Sequence, residues 1–252
     1  MTDKNLEFKI IKPEKSLSDF VEMFWMLSNH SEKGKEIVII PDGRIDIIFS
    51  KSANEPFHVT LLGLENKFAE TIFPPKTVFF SISFKLLSIE YLLGTSVSNL
   101  LNSAKRLSFG FWGIKPGDLN DFDGFCRKAS KKMISLIQAN VDTRKQKLFE
   151  LIYSSNGSLA VKDLSERVFW SSRQINRYFN QQFGISLKAY CNILRFRASF
   201  QHLKEGKLYP EQNFTDQAHF IKEVKRFSGV APKELSKNKN DRFVQFSALK
   251  KK

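Results

Sequence analysis

The 252-residue sequence has only 2 Cys, 8 Pro and 12 Gly. Two cysteines cannot form a disulfide framework, and so little Pro and Gly excludes a fibrous or low-complexity chain. The purest apolar runs, 37–41 and 78–84, are far shorter than the roughly 20 residues of a membrane-spanning helix. The first twelve residues offer no uninterrupted apolar segment of a secretion signal. We therefore expect a globular, cytoplasmic protein with no membrane partner, in which Cys126 and Cys191 are buried structural thiols.

Histidine is equally scarce, with 4 in the chain, and the first half contains only His30 and His58. A metal-dependent enzyme of the cupin type needs several His and Glu side chains that converge inside a barrel. These two histidines form no His-x-His pair. The sequence therefore predicts no metal site, no cofactor and no catalytic residue.

Acidic residues are missing altogether from residues 167–204. Residues 144–252 hold 22 Lys and Arg against 9 Asp and Glu, whereas residues 1–143 hold 18 against 17. Most surfaces intersperse both signs of charge, so this segment indicates a face that meets phosphates. Double-stranded DNA is therefore the first partner to expect, and a merely solvated basic surface is the alternative.

A helix-turn-helix is indicated inside this basic segment. Residues 159–168 and 171–183 have helical apolar periodicity, residues 169–172 fit the tight turn between them, and Gly184 supplies a left-handed stop. The polar side of the second helix presents guanidinium and amide groups, which can address base edges with paired hydrogen bonds. These side chains are Arg173, Asn176, Arg177 and Asn180.

The same unit occurs a second time. A shift of 45 residues aligns 169–190 with 214–235 without a gap, so that Phe169 meets Phe214 and the two helix-stopping glycines coincide. Between the units, residues 187–203 predict a helix that is apolar on two sides. We expect it to pack one unit on each flank and to set their spacing.

Two such units joined by a long helix, with the segments SSRQINRYFNQQFGIS and FTDQAHFIKEVKRFSGVAPKEL, resemble the DNA-binding domain of the AraC/XylS family of bacterial transcription regulators. The resemblance covers residues 144–236. It implies a double helix-turn-helix domain whose two reading helices enter successive major grooves. It also implies RNA polymerase as a partner and a sensor half that takes a small-molecule effector, and it leaves a homodimer open.

Position by position, the resemblance assigns functional roles to two sets of residues. The base-reading set is Arg173, Asn176, Arg177, Gln217 and Lys222. The set expected to contact phosphate or cap a helix is Ser171, Ser172, Thr215, Lys225 and Arg226. The first helix of the second unit would fall on residues 204–213, where Gly206 and Pro210 leave room for about one turn. The second reading helix is therefore predicted to be less well braced, and a helix kept only for packing is the alternative.

The first half, residues 1–140, has a different pattern. Five segments read as strands: 8–12, 36–40, 44–50, 57–62 and 77–84. Helical segments follow at 97–104 and 119–139. The pattern predicts a small antiparallel, cupin-like β domain that ends in helices. It joins the C-terminal DNA-binding domain near residues 140–144. The expected fold class is α+β, with an all-α C-terminal domain and a mobile basic tail at 237–252.

The interior of the first half is predicted to contain an apolar, Phe-lined pocket without a transition metal. Asp42, Arg44 and Asp46 alternate along one strand. They fit either a salt-bridged turn or a polar cluster inside that pocket. The effector itself is not identified by any motif.

Three classes of function fit these observations. The leading prediction is a sequence-specific transcription regulator. A nonspecific architectural DNA-binding protein would use the same basic charge, and the ratio of specific to nonspecific affinity separates the two. A cupin-like enzyme with a basic nucleic-acid-binding tail is the third class, and it lacks a catalytic constellation in this sequence.

Overall fold

A computed structural model describes residues 5–137, 140–209, 214 and 216–247. The strands are β1 (Leu6–Ile11), β2 (Val21–Asn29), β3 (Lys35–Ile39), β4 (Ile45–Ser52), β5 (His58–Leu62), β6 (Ala69–Phe73), β7 (Thr77–Phe84) and β8 (Ala104–Arg106). They form a six-stranded sheet of order β1-β2-β7-β4-β5-β8 and a two-stranded sheet of β3 and β6. All these strand pairs are antiparallel.

The helices lie mostly in the second half of the chain. They are α1 (Leu87–Tyr91), α2 (Phe122–Leu136), α3 (Thr143–Ser154), α4 (Val161–Val168), α5 (Ser172–Phe183), α6 (Leu187–Ala198), α7 (Phe200–Lys204), α8 (Gln217–Ser228), α9 (Pro232–Lys237) and α10 (Val244–Ser247). This arrangement confirms the predicted α+β class. No helix in the described ranges is long and apolar enough to cross a membrane.

The two faces of the large sheet meet different partners because side chains alternate along each strand. On one face, Phe80 of β7 is buried, and its ring centroid lies 5.0 Å from that of Phe122 in α2. On the opposite face, Phe79 and Ser83 of the same strand line an interior cavity. Helix α2 therefore closes one face of the sheet, and the other face is free to form a site.

Some predicted elements were wrong. Strand β2 was missed because its run VEMFWMLSN is largely apolar and covered on both faces, so the alternation that marks a strand is absent. The helix predicted over 97–104 is only a 3₁₀ turn at Ser98–Leu100, followed by β8. Contacts from distant segments decide this region: the Asn102 N–H donates to the Leu64 carbonyl at 2.8 Å.

The linking helix predicted over 187–203 is divided at Ser199, whose hydroxyl donates to the Phe196 carbonyl at 2.6 Å. Helix α6 does contact both units as predicted. Tyr190 packs against Phe179 of α5 with ring centroids 5.7 Å apart, and Phe196 stacks on Phe227 of α8 at 5.1 Å. The spacing of α5 and α8 is thus set by one buried helix.

The β domain and the helical part share one hydrophobic core. The Tyr190 hydroxyl donates to the Gly43 carbonyl at 3.0 Å, and the Leu86 N–H donates to the Tyr153 hydroxyl at 3.0 Å. The Val97 N–H donates to the Gln182 carbonyl, 2.9 Å away near the end of α5. The β domain therefore touches α5, the predicted first reading helix, directly.

The C-terminal segment 239–247 packs back onto the β domain. The Val38 N–H donates to the Arg242 carbonyl at 2.7 Å, and the Gln245 side chain exchanges two hydrogen bonds with the backbone of Ile40, at 3.3 and 2.9 Å. Phe243 and Phe246 are fully buried. The prediction of a mobile tail is wrong for this segment, because its two aromatic rings bury enough apolar surface to hold it. Residues 248–252 lie outside the described part of the chain.

Candidate functional site

Helix α5, the predicted first reading helix, is capped at both ends by the residues expected from the sequence. Ser171 and Gln174 form a capping box, in which the Gln174 N–H donates to the Ser171 hydroxyl at 3.3 Å and the Ser171 N–H donates to Gln174 Oε1 at 3.0 Å. Gly184 ends the helix in the left-handed region at φ 71°. These caps fix the start and the direction of α5 without help from a ligand.

Arg173 and Arg177 lie on the solvent side of α5 and are exposed. Neither makes a hydrogen bond or ion pair with any residue that the structure describes. The opposite side of the helix is buried in the core through Ile175 and Phe179. Two guanidinium groups one helical turn apart are therefore presented to solvent by a rigidly held helix.

Asn176 is placed differently from the two arginines. It is half-buried, its Nδ2 donates to the Ser172 carbonyl at 3.0 Å, and its Oδ1 accepts from the Leu187 N–H at 3.2 Å. The amide oxygen thus joins α5 to the start of α6, and the amide nitrogen is bonded within α5. Base reading by Asn176 stays a prediction and requires the side chain to leave both partners.

Helix α8, the predicted second reading helix, begins at an N-cap, Asp216, whose carboxylate accepts from the His219 N–H at 2.8 Å. Gln217, Lys222 and Lys225 are exposed, and Gln217 Nε2 donates to the Leu208 carbonyl at 2.7 Å. Arg226 is also exposed. Its guanidinium lies 3.3 Å from Glu223 and 4.8 Å from the ring centroid of Phe227. Thr215 lies outside the described residues.

The support under the two reading helices differs, in line with the sequence. Helix α4 packs against α5 through buried Leu164 and Val168. Residues 205–209 form no helix before α8, and residues 210–213 of the predicted segment lie outside the described part of the chain. Phe214 instead packs against Phe220 of α8 with ring centroids 5.1 Å apart. The expected equivalence of Phe169 and Phe214 in the core is wrong, because Phe169 is 90% exposed and left-handed, at φ 53°.

The second candidate site is an interior cavity of about 300 Å³ between the large sheet and β3. Its apolar wall includes Phe8 and Trp25, which stack with ring centroids 6.5 Å apart, and Phe79. This confirms a pocket lined partly by phenylalanine. Its other wall is polar and includes the predicted alternating residues Asp42, Arg44 and Asp46.

The acidic groups of the cavity carry raised pKa values. Burial, aided by the nearby charge of Asp42, raises the pKa of Asp46 to about 6. Burial, followed by the charges of Asp42 and Asp46, raises the pKa of Glu65 to about 8. Asp46 Oδ1 accepts from Trp25 Nε1 at 3.0 Å and from the Ser83 hydroxyl. Burial also raises the pKa of Asp42.

Three cationic side chains beside the cavity form ion pairs with one carboxylate, Glu22. Its oxygens lie 3.5 Å from Lys12, 3.3 Å from Arg44 and 3.0 Å from Arg197. Arg44 is 6% exposed, and its guanidinium lies 5.2 Å from the ring centroid of Tyr153. Arg44 therefore pairs with Glu22 and not with its strand neighbour Asp46, so the simple salt-bridged turn is not what forms.

Glu22, Trp25 and Glu65 were missed as site residues. Trp25 and Glu22 lie in β2, which was itself missed, and Glu65 stands in a short connection with no motif around it. No signal in the sequence would have linked them to Asp46. The two cysteines are buried as predicted, and burial raises both thiol pKa values to about 12. Across the described ranges no three His, Cys, Asp or Glu side chains are grouped to hold a metal ion.

Comparison with known proteins identifies a family model, a domain of unknown function (DUF6597), over residues 9–105, which is less than half of the chain. No curated protein matches the sequence. The chain is similar to solved structures of ToxT from Vibrio cholerae. One is 14% identical with a TM-score of 0.43, covering 92% of this chain and 97% of ToxT. Another, of ToxT bound to an unsaturated fatty acid, is 14% identical with a TM-score of 0.41, covering 93% and 95%.

Proposed function

We propose that this protein is a sequence-specific, double-stranded DNA-binding transcription regulator of the AraC type. The observation that carries the proposal is the first helix-turn-helix, where a capped helix presents Arg173 and Arg177 to solvent with no partner among the described residues. A guanidinium can donate two hydrogen bonds to a guanine edge in the major groove.

The charge of the helical part supports the same function. Residues 144–252 carry 22 basic against 9 acidic residues, and the solvent sides of both reading helices are basic. Lys222 with Gln217 would read bases from α8, and Lys225, Arg226, Ser171 and Thr215 would contact phosphate. Ser172, the first residue of α5, belongs to the same phosphate set. Asn176 would read a base only after its two intramolecular hydrogen bonds break, so Arg173 and Arg177 are the main candidates for base reading.

The remaining partners complete the proposal. An effector would occupy the cavity between the large sheet and β3, which Arg197 and Phe200 of the helical part also line. RNA polymerase contact and self-association follow from the resemblance to the family and are proposed with it. Catalysis and a cofactor are not part of the proposed function.

Selection of bound duplexes from a random pool, with the full chain, tests the proposal. The full chain is required because Tyr190 and Tyr153 of the helical part hydrogen bond to the backbone of Gly43 and Leu86 in the first half, and Tyr190 is fully buried there. A regulator of this type returns a defined sequence. With about 6 phosphate contacts, its affinity falls about a thousandfold between 50 and 200 mM salt.

Two variants that each remove one positive charge separate base reading from phosphate contact. Arg173→Ala should cost about 1 to 3 kcal/mol on the selected duplex and relax the choice at one base pair. Lys225→Ala should weaken selected and scrambled duplexes alike and lower the salt slope by about one contact. An equal loss on both duplexes for Arg173→Ala would support the architectural alternative instead.

A further inference from the structure

Phe169 has the highest exposed fraction, 90%, among the large apolar side chains that the structure describes as exposed. It lies in the turn between α4 and α5 with φ 53°, in the left-handed region that bulky residues rarely adopt. Its ring contacts no other aromatic ring and no cation in the described part of the chain. Folding therefore gains little from this side chain, and such a strained position is a reason to look for a role in binding.

The turn that carries Phe169 is held in place by ordered neighbours. The Phe169 N–H and the Trp170 N–H both donate to the Ser165 carbonyl, the latter at 3.2 Å. The half-buried Trp170 packs against Tyr178 of α5 with ring centroids 5.4 Å apart. The ring of Phe169 is thus presented to solvent from a fixed backbone.

The second unit uses the equivalent residue for packing. Phe214 is half-buried, and its ring centroid lies 5.1 Å from that of Phe220 and 5.8 Å from that of His219. A phenylalanine at this place in the unit can therefore serve the core. In the first unit Trp170 supplies that packing, which leaves the ring of Phe169 for a partner.

The side chains on both sides of Phe169 in the sequence are basic. Arg167 and Arg173 are exposed, and neither makes a hydrogen bond or ion pair with a described residue. The carboxylate nearest in the sequence, that of Glu166, lies 4.0 Å from Lys162. An apolar ring between two such guanidinium groups favours DNA, because phosphates pair with guanidinium groups and the major groove offers apolar methyl groups to the ring.

The proposed docking of α5 brings Phe169 to the major groove. In a helix-turn-helix the N-terminal residues of the reading helix contact base edges, and the first helix crosses the backbone. Phe169 directly follows Val168, the last residue of α4, and stands two residues before Ser171, the N-cap of α5. It therefore lies between these two contacts. The apolar group that DNA presents in this groove is the C5 methyl of thymine, which phenylalanine can contact.

From these features we infer that Phe169 reads thymine. Its ring packs against a thymine methyl group in the major groove, beside the base pair that Arg173 addresses. The inference rests on the proposed function and deepens it, because it adds an apolar base-reading residue to a helix whose other candidates are polar. It also accounts for the exposed ring, which is covered when DNA is bound.

Replacement of thymine by deoxyuridine tests this contact with the full chain, because it removes one methyl group from the DNA and keeps the base pair. Each thymine of the selected duplex is replaced in turn, and the affinity is measured by fluorescence anisotropy. A buried methyl group is worth about fourfold in affinity. We expect a loss of about fourfold at one thymine, next to the base pair whose choice Arg173→Ala relaxes.

Two variants of Phe169 link the methyl group to the ring. Phe169→Asn keeps the turn, because asparagine adopts the left-handed region readily, but it offers no apolar surface. It should lower the affinity for the selected duplex about tenfold, change that for a scrambled duplex little, and abolish the effect of deoxyuridine. Phe169→Leu retains an apolar side chain and should keep the preference for thymine. Phe109→Asn is the control: this ring is 75% exposed in the first half of the chain, and its loss should leave DNA binding unchanged.

Unchanged affinity of Phe169→Asn for the selected duplex would overturn the inference and would make a protein surface the partner of the exposed ring. An equal loss on selected and scrambled duplexes, or equal binding of every deoxyuridine duplex by the natural protein, would also overturn it, since neither fits a contact with one base. If the natural protein selects no sequence, the proposed function and this inference fall together. Normal selection that does not depend on Phe169 overturns this inference alone.

Discussion

Replacing Glu65 with Gln should stabilise the protein, and the gain should grow with pH. In the folded state, burial and the charges of Asp42 and Asp46 raise the pKa of Glu65 from 4.5 to about 8. Folding therefore favours the protonated form of this side chain. The stability it contributes is fully present below about pH 4.5 and is lost as the pH rises through about 8. Gln keeps the shape of the protonated acid and never ionises.

The size of the effect follows from the two pKa values. Each pH unit between them corresponds to about 1.4 kcal/mol, which sets an upper limit of about 5 kcal/mol above pH 8. Glu65 is only half-buried and solvent screens its carboxylate, so we expect the variant to gain about 1 to 3 kcal/mol over the natural protein at pH 8. At pH 4.5 the two proteins should have nearly the same free energy of unfolding.

Urea unfolding at pH 4.5, 6 and 8, followed by tryptophan fluorescence and circular dichroism, measures this difference. Glu70→Gln is the control, since Glu70 is exposed on β6. A gain for Glu65→Gln that is constant across the pH range would refute the reasoning. It would show that the Glu65 carboxyl is solvated in the folded state and that the charges of Asp42 and Asp46 do not raise its pKa.

Three further changes probe the caps, the turn and the C-terminal segment. Ser171→Ala removes the cap of α5 and should destabilise the protein by about 1 kcal/mol in thermal unfolding. The neighbouring Ser172→Ala should change the stability little. Phe169→Gly should stabilise the protein by about 1 kcal/mol, because Phe169 is exposed and left-handed and glycine adopts that conformation without strain; a loss of stability would contradict this. Phe243→Ala should cost about 3 to 5 kcal/mol in denaturant unfolding, since the ring is fully buried against the β domain; a loss below about 1 kcal/mol would mean that the segment is detached in solution.

The resemblance to a double helix-turn-helix rested on short-range features of the sequence, and these largely agree with the structure. The cap at Ser171, the stop at Gly184 and the repeat at Gly229 are set by backbone chemistry within a few residues. The strand predicted over 77–84 coincides with β7. Phe169 is the exception, because exposure depends on what lies across the turn and not on the residue type.

The cavity could not be predicted to the same degree. Asp42, Arg44 and Asp46 alternate along one strand of the sequence, but Glu22, Trp25 and Glu65, which act on them in the structure, come from other segments. The register of β2 on β7 places Trp25 opposite Ser81, and the hydrogen bonds to Asp46 follow from that register. No local pattern encodes such a register when both faces of a strand are covered.

The sequence by itself determined where α5 begins and ends, which side of α5 is basic, and that both cysteines are buried, because caps, periodicity and charge act over one or two helical turns. Only the tertiary structure decided that Arg44 pairs with Glu22, that Asn176 joins α5 to α6, and that the C-terminal segment returns to β3. These contacts join residues far apart in the chain. They form because buried charges, buried amides and exposed aromatic rings are costly until a distant partner satisfies them.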